Sequence, residues 1–126
     1  MTNLEKNIDM KHLISLFSLL LFAMAAFADT PPSFPGGQTA LDDYLSKNVK
    51  YPDNAREMGI EGIVVVGFIV TTDGTLKAIK VVKLVDPDLE KEAVRVVGTM
   101  PKWIPAEKNG TPVEAPSQVD VPFILE

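Results

Sequence analysis

Residues 62–103, GIVVVGFIVTTDGTLKAIKVVKLVDPDLEKEAVRVVGTMPKW, decide the fold of this chain. Two runs rich in Val and Ile, Gly62 to Thr71 and Leu76 to Val85, flank an Asp73-Gly74 pair, which is a strong hairpin signal. Asp86-Pro87-Asp88 then supplies an N-cap, a proline at the first helical position and an acid in the first turn. The stretch therefore predicts a β-hairpin that leads into a helix.

Alternation along the hairpin predicts its buried face. With Asp73-Gly74 as a two-residue loop, Phe68 faces Ile79 and Val66 faces Val81, and we expect this face to form the core. The same face carries Val64 and Val70, opposite Lys83 and Lys77.

The opposite face of the hairpin is more apolar than a solvated face should be. It is interpreted either as a dimer or partner surface, or as a face covered by the N-terminal segment or a terminal strand. Its apolar residues are Ile63, Val65, Ile69, Val82 and Leu84.

Helical patterns precede the hairpin. From Thr39 the apolar residues recur at helical spacing, with Asp42 and Asp43 expected in the first turn, where the helix dipole favours acids. A short second helix is expected over Asp53 to Met58, with Gly59 as its left-handed exit.

The segment after the hairpin supplies the remaining elements. Its helix has one apolar stripe, expected to pack on the hairpin: Leu89, Ala93, Val96, Val97 and Met100. Trp103 is expected to close the core beyond the helix end at Pro101. Asn109-Gly110 marks a tight turn, and a last strand is expected over Gln118 to Leu125. Because Pro122 removes one ladder donor, this strand belongs at a sheet edge or an irregularity.

Together these elements predict an α+β fold of two layers, in which an antiparallel three-stranded sheet packs against two helices. The domain is expected over residues 38–126, after a Pro- and Gly-rich linker over 29–37. An apolar run from Leu13 to Ala28 follows Lys11-His12 and ends in Ala26-Phe27-Ala28. This pattern predicts a signal peptide over residues 1–28, with a short membrane anchor as the alternative.

Composition excludes several classes of function. The chain has no cysteine, and its one histidine, His12, lies in the leader. A mature chain without either residue excludes zinc sites, Ser-His triads and cysteine nucleophiles, so we expect no metal, no cofactor, no small-molecule substrate and no enzymatic activity. The formal net charge of −5 argues against binding to nucleic acid.

Several short motifs follow one another along the chain in a characteristic order. They are Phe34-Pro35-Gly36-Gly37, Tyr51-Pro52, Gly59-Ile60-Glu61-Gly62, Asp73-Gly74, Pro101-Lys102-Trp103 and Asn109-Gly110-Thr111-Pro112-Val113. From about Phe34 to Leu125, their order and spacing resemble the C-terminal domain of TonB energy-transducer proteins. The resemblance implies a periplasmic domain that binds an extended segment, the TonB box, of an outer-membrane receptor by β-strand addition.

The resemblance also implies where the partner binds. The docking edge is the last strand, at Gln118, Val119, Asp120, Val121 and Phe123, and Tyr51-Pro52 lies near the partner. For Tyr51, a half-buried ring with a hydrated hydroxyl is the alternative.

The resemblance leaves the wider role open. Inner-membrane motor proteins and a second copy of the chain are further expected partners. Because the leader resembles a signal peptide, we expect a periplasmic protein, with an inner-membrane anchor facing the periplasm as the alternative. A dimerising scaffold and a cell-wall glycan binder are the alternative functions.

If the leader is cleaved, the protein recovered from cells begins at Asp29. Intact-mass measurement of the purified protein tests this expectation directly. A mass that corresponds to a start at Met1 or Met10 would favour the anchored alternative.

Overall fold

The computed structural model describes residues 28–126. Its elements are helices α1 (Gly37–Asn48), α2 (Asp53–Glu57) and α3 (Pro87–Gly98), and strands β1 (Gly62–Val70), β2 (Leu76–Lys83), β3 (Ala106–Lys108), β4 (Thr111–Val113) and β5 (Ala115–Phe123). Apart from Ala28, the predicted signal peptide lies outside the described residues. Within residues 28–126, no helix combines the length and apolar character needed to cross a bilayer.

The main sheet has three antiparallel strands in the order β2-β1-β5. Helix α3 packs on β1 and β2, so the predicted α+β architecture is confirmed. The predicted core face of β1 is also confirmed, because Val64, Val66, Phe68 and Val70 are all buried. Each fully buried valine contributes about 1.5–3 kcal/mol of hydrophobic stabilisation.

The hairpin tip differs from its predicted form. The Thr71 N–H donates to the Thr75 carbonyl at 2.9 Å, and the Gly74 N–H donates to the Thr71 carbonyl at 2.9 Å. The loop therefore has three residues rather than two, with Gly74 at φ +90° as the left-handed residue that such loops require. The Asp73 carboxylate accepts from the Thr71 hydroxyl at 2.5 Å and the Thr75 N–H at 3.1 Å, which holds the longer loop.

The longer loop changes the register of β2. Val66 pairs with Val81 as predicted, but Lys77 pairs with Ile69 instead of lying opposite Val70. The predicted Phe68–Ile79 pair falls on an irregularity where Ala78 has φ 54°. A second shift makes Lys83 the partner of Val65 instead of Val64. Both shifts place an extra residue in β2, as β-bulges do.

Helix α1 begins at Gly37 rather than Thr39, so its first turn contains no acid. The Gly37 N–H donates to the Phe34 carbonyl at 2.8 Å, and Gly36 and Gly37 both have positive φ. Glycine adopts such angles at little cost, which lets the chain turn tightly into the helix. The predicted acids consequently lie beyond the first turn.

Residues 29–37, for which the sequence predicts a linker, pack on the domain. Thr30 forms a bridge with Glu107, and Ser33 forms one with Ile104. The Phe34 ring is buried, with its centroid 5.6 Å from that of Tyr44 and 5.9 Å from that of Trp103. This segment therefore contributes an aromatic residue to the core.

The predictions for α2, α3 and Trp103 are confirmed. Gly59 provides the left-handed exit after α2, at φ +68°. The Asp86 carboxylate accepts the N–H groups of Asp88 at 3.0 Å and Leu89 at 3.2 Å, as an N-cap does. Trp103 is 5% exposed, and its ring lies edge-on to Phe68 with centroids 5.0 Å apart.

The C-terminal region contains one unpredicted element. Strands β3 and β4 form a small hairpin around Asn109 and Gly110, whose φ angles are 51° and 77°. The predicted turn is therefore correct, but its short strands carry too few residues for an alternating pattern. Strand β5 spans Ala115–Phe123 instead of the predicted Gln118 to Leu125.

We expect Gly74→Ala to destabilise the protein by about 2–4 kcal/mol, from left-handed strain and overpacking. A Cβ at this position would lie 2.2 Å from the Trp103 carbonyl oxygen. Gly110→Ala is the matched control, because Gly110 has φ +77° and no atom within 4 Å of the added Cβ. It should cost only about 1 kcal/mol. Urea unfolding of both variants measures the difference, and equal losses would exclude a collision at Gly74.

Candidate functional site

Strand β5 forms a regular edge of the main sheet. It pairs with β1 through nine consecutive residues, from Phe123 opposite Gly62 to Ala115 opposite Val70. No register shift interrupts this ladder. Within residues 28–126, no strand pairs with its other side. The strand therefore presents a straight row of main-chain groups to an incoming segment.

The hydrogen bond at the hairpin tip shows which residues of β5 direct their main-chain N–H and C=O groups to the free edge of the sheet. The Thr71 N–H bonds toward β2. The main-chain N–H and C=O groups of every second residue of β1 before it, such as Val65 and Gly67, therefore also point toward β2. Their partners on β5, Asp120 and Gln118, therefore direct their N–H and C=O groups to the free edge.

Two prolines belong to the same outward series. Pro116 lies opposite Ile69, and Pro122 lies opposite Ile63. Proline has no N–H, so it fits a strand where that group would point away from the neighbour. On β5 the free edge therefore offers carbonyl groups at both prolines, but N–H donors only at Gln118 and Asp120.

A groove of about 920 Å³ runs beside this edge, between β5 and helix α1. Leu41 and Leu45 provide apolar surface on the helix side, and Val119 provides it on the strand side. Polar side chains of α1 also line the groove: Gln38, Asp42 and Ser46. A groove beside a free strand edge can accept an extended peptide, because main-chain bonds and side-chain pockets are then available together.

The other edge of the sheet, on β2, has different properties. Its pairing with β1 contains two register shifts, near Ala78 and Val82. Three exposed lysines also lie along it: Lys77, Lys80 and Lys83. Bulges and lysines are features that discourage pairing at an edge. Of the two edges of this sheet, β5 is therefore better suited to strand addition.

The structure brings together most of the residues predicted for the docking edge. Gln118, Val119 and Asp120 line the groove, and so does Pro122. Val121 and Phe123 are buried on the core face. They therefore support the edge from below instead of presenting side chains to it.

Tyr51 and Pro52 do not line the groove. The Tyr51 hydroxyl donates to the Ile60 carbonyl, and the Tyr51 ring lies edge-on to Phe123 with centroids 5.6 Å apart. Its hydroxyl is therefore satisfied within the domain. Burial, and secondarily the charge of Glu61, raises the pKa of Tyr51, whereas the charge of Arg56 opposes that rise. These contacts support the end of β5.

A second contact holds the chain just beyond β5. The Glu61 carboxylate accepts the Leu125 N–H at 2.6 Å. Glu61 precedes β1, so the start of the central strand and the exit from the edge strand are joined. The local sequence around Glu61 and Leu125 does not predict this hydrogen bond, because the bond depends on the register of β5.

Groove residues on α1 were not predicted as site residues. Leu41 and Leu45 are readily assigned to the core, whereas Gln38, Asp42 and Ser46 resemble an ordinary solvated face. The spacing of four residues among these polar side chains places them on one side of the helix. That spacing is the one signal in the sequence for the helix wall of the groove.

The second face of the sheet is exposed at several positions. Ile63 is 44% exposed, Val82 55% and Leu84 75%, while Val65 and Ile69 are half-buried. Three of the five apolar residues on this face are therefore open to solvent among the described residues. Binding of a second copy to this face stays a prediction.

Several acidic residues outside the groove have structural roles. Hydrogen bonds from Thr71, and then from Thr75, lower the pKa of Asp73 in the hairpin loop. Asp86 caps α3, and Glu61 binds Leu125. Within the part of the chain that the structure describes, no group of three or more His, Cys, Asp or Glu side chains could hold a metal ion.

Comparison with known proteins identifies related domains. Residues 47–125 match the family model described as Gram-negative bacterial TonB protein C-terminal. The chain also resembles an NMR solution structure of Helicobacter pylori TonB-CTD, with 27% identity and a TM-score of 0.48 over 68% of this chain and 77% of that one. A shorter fragment of the same domain gives 26% identity and a TM-score of 0.49 over 68% and 89% of the two chains. No curated protein matches the sequence.

We expect Tyr51→Phe to lower the free energy of unfolding by about 1 kcal/mol, because the Ile60 carbonyl loses its donor. Peptide affinity at β5 should remain unchanged, since Tyr51 does not line the groove. Tyr44→Phe is a matched control, because the Tyr44 hydroxyl bonds the exposed Thr99 hydroxyl at 2.9 Å and the Val96 carbonyl at 3.4 Å, and that carbonyl keeps the Thr99 hydroxyl as a donor at 2.9 Å. Urea unfolding and peptide titration separate the effects. Lost affinity at unchanged stability would instead support the predicted contact between Tyr51 and the partner.

Proposed function

This chain belongs to the Gram-negative TonB C-terminal family, and from that membership we propose that it binds the TonB box of outer-membrane transporters by β-strand addition. The family consists of non-catalytic protein-interaction domains, whose members interact with TonB-dependent receptors. The bound segment extends the main sheet as a fourth strand beside β5.

The free edge of β5 is the observation that carries this proposal. It is regular over nine paired residues, directs main-chain groups of Gln118 and Asp120 outward, and borders a groove of about 920 Å³. An extended peptide satisfies those groups while its alternate side chains contact the groove or the opposite face. A compact ligand, unlike an extended peptide, does not form hydrogen bonds along a whole row of main-chain groups.

The prolines limit the strength of the proposed contact. Only Gln118 and Asp120 donate N–H groups, and a typical hydrogen bond contributes about 0.5–1.5 kcal/mol net. The remaining affinity comes from the carbonyl acceptors and from apolar contact with Ile63, Pro122 and Ile124, which line the groove and are exposed. This arrangement favours a reversible contact, which suits a receptor that is engaged and released during transport.

We place this function in the periplasm, where the domain meets the periplasmic side of outer-membrane transporters. The domain then contributes to energy-dependent transport together with inner-membrane motor proteins. The signal peptide that the sequence predicts over residues 1–28 supports export, and an inner-membrane anchor facing the periplasm is the alternative arrangement. Both arrangements expose β5 to the same compartment.

Dimerisation is the second candidate function, because the exposed Val82 and Leu84 provide apolar surface away from the groove. Glycan binding receives less support, since such a site needs accessible aromatic rings. Trp103 is buried, while the Tyr44 and Tyr51 rings are half-buried and pack against Phe34 and Phe123.

Asp120→Pro tests strand addition at β5. It removes one of the two outward N–H donors and should weaken binding of a TonB-box peptide from the same cell about two- to tenfold. Asp120→Asn is the control, because it removes the charge but keeps the N–H. Amide-shift titration measures affinity and reports whether each variant remains folded.

Unchanged affinity in a folded Asp120→Pro variant would contradict binding at this edge. A proline at Val121 is a poorer test, because Val121 is buried opposite Val64 and its main chain faces β1. That substitution would disturb the sheet itself.

A further inference from the structure

The groove beside β5 carries acidic charge without basic neighbours. Three of its lining residues are acidic, namely Asp42 on α1, Asp120 on β5 and Glu126 beyond β5, and no Lys or Arg lines it. Asp120 and Glu126 form no ion pair within residues 28–126. Their charges therefore lack compensation by a neighbouring base.

The two adjacent acids of α1 differ in their surroundings. Asp43 forms an ion pair with Lys47 at 2.9 Å, and it does not line the groove. Asp42 accepts a hydrogen bond at 2.8 Å from the neutral Gln38 side chain, and both of these residues line the groove. Helix α1 thus directs its unbalanced charge toward the space beside β5.

Three basic side chains lie on the opposite edge of the sheet. Lys77, Lys80 and Lys83 are exposed on β2, and Lys77 pairs with Glu114 at 2.9 Å. The central strand β1 separates this edge from β5. An approaching charged segment therefore meets negative groups at β5 and positive groups at β2, so charge complementarity favours cationic segments at β5.

We propose that the segment bound at β5 is cationic, with basic residues placed opposite Asp120 and toward Asp42. This inference rests on the proposed strand addition and assigns the chemical class of the partner segment.

The pleat of β5 sets where the basic residues belong. Asp120 is exposed on the face opposite the buried Val119 and Val121. In an added strand, the residue beside Asp120 lies on that same face, and its neighbours along the chain point to the core side. Those neighbours point toward Leu41 and Leu45, of which only small exposed parts line the groove. The fitting segment therefore alternates basic and apolar residues, with a further basic residue near α1.

Two capped octapeptides provide the probe: one alternates Val with Lys, and the other alternates Val with Glu. Titrated into the full chain at low salt, the Lys peptide should bind about fivefold more tightly, which suits one or two partly exposed ion pairs. Shifts should centre on the amides of Gln118 and Asp120. Raising the salt to about 0.5 M should remove most of the difference, because the ion pairs are screened.

Variants assign the preference to the groove. The double variant Asp42→Asn with Asp120→Asn should bind both peptides with similar affinity, while keeping the main-chain donors of β5. Asp43→Asn is the matched control, because it removes the same charge from α1 outside the groove. It should retain the preference for the Lys peptide.

The possible outcomes separate this inference from the proposed function. If both peptides bind at β5 and the Glu peptide binds as tightly or more tightly, the charge assignment is overturned while strand addition stands. A preference that survives in the double variant also overturns it. If neither these peptides nor the receptor peptide shifts the amides of Gln118 and Asp120, strand addition fails as well.

Discussion

A three-stranded sheet has two edges, and the central position of β1 determines how this domain uses them. Strand β1 buries one face in the core and pairs along both sides, with β2 and with β5. Each outer strand is thereby left with one unpaired side among the described residues. The two strands differ in sequence in a way that matters at an edge: β2 contains two bulges and three lysines, whereas β5 remains straight and carries prolines in its outward series. The same core thus supports one protected edge and one accessible edge.

The prolines of β5 reconcile accessibility with resistance to aggregation. A long free edge with every donor available would pair readily with other chains. Pro116 and Pro122 remove the outermost donors and leave Gln118 and Asp120 between them. The supporting contacts keep this short stretch in place, because Phe123 packs on Tyr51 and the Leu125 N–H binds Glu61. The edge is therefore narrow but well positioned.

Local patterns predicted the core better than they predicted the groove. The apolar alternation of β1 and the cap at Asp86 depend on neighbouring residues, and the structure confirms them. The hairpin register was wrong near its ends, because Asp73-Gly74 suits both a two-residue and a three-residue loop. The choice depends on the hydrogen bonds of Thr71 and Thr75. The groove is a space between α1 and β5, which are distant in sequence, so no local pattern defines it.

The free edge of β5 has few N–H donors, so selection among partner segments depends on the side chains that line the groove. Main-chain hydrogen bonds are available to almost any extended segment, so Gln118 and Asp120 alone discriminate little between partners. The groove adds side chains from two independent elements, one on the edge strand and one on α1. Helix α1 contributes to both the core and the groove, because Leu41 and Leu45 are buried in the core while Asp42 lines the groove. Selectivity therefore depends on the placement of this helix beside the edge, as well as on the sequence of the edge itself.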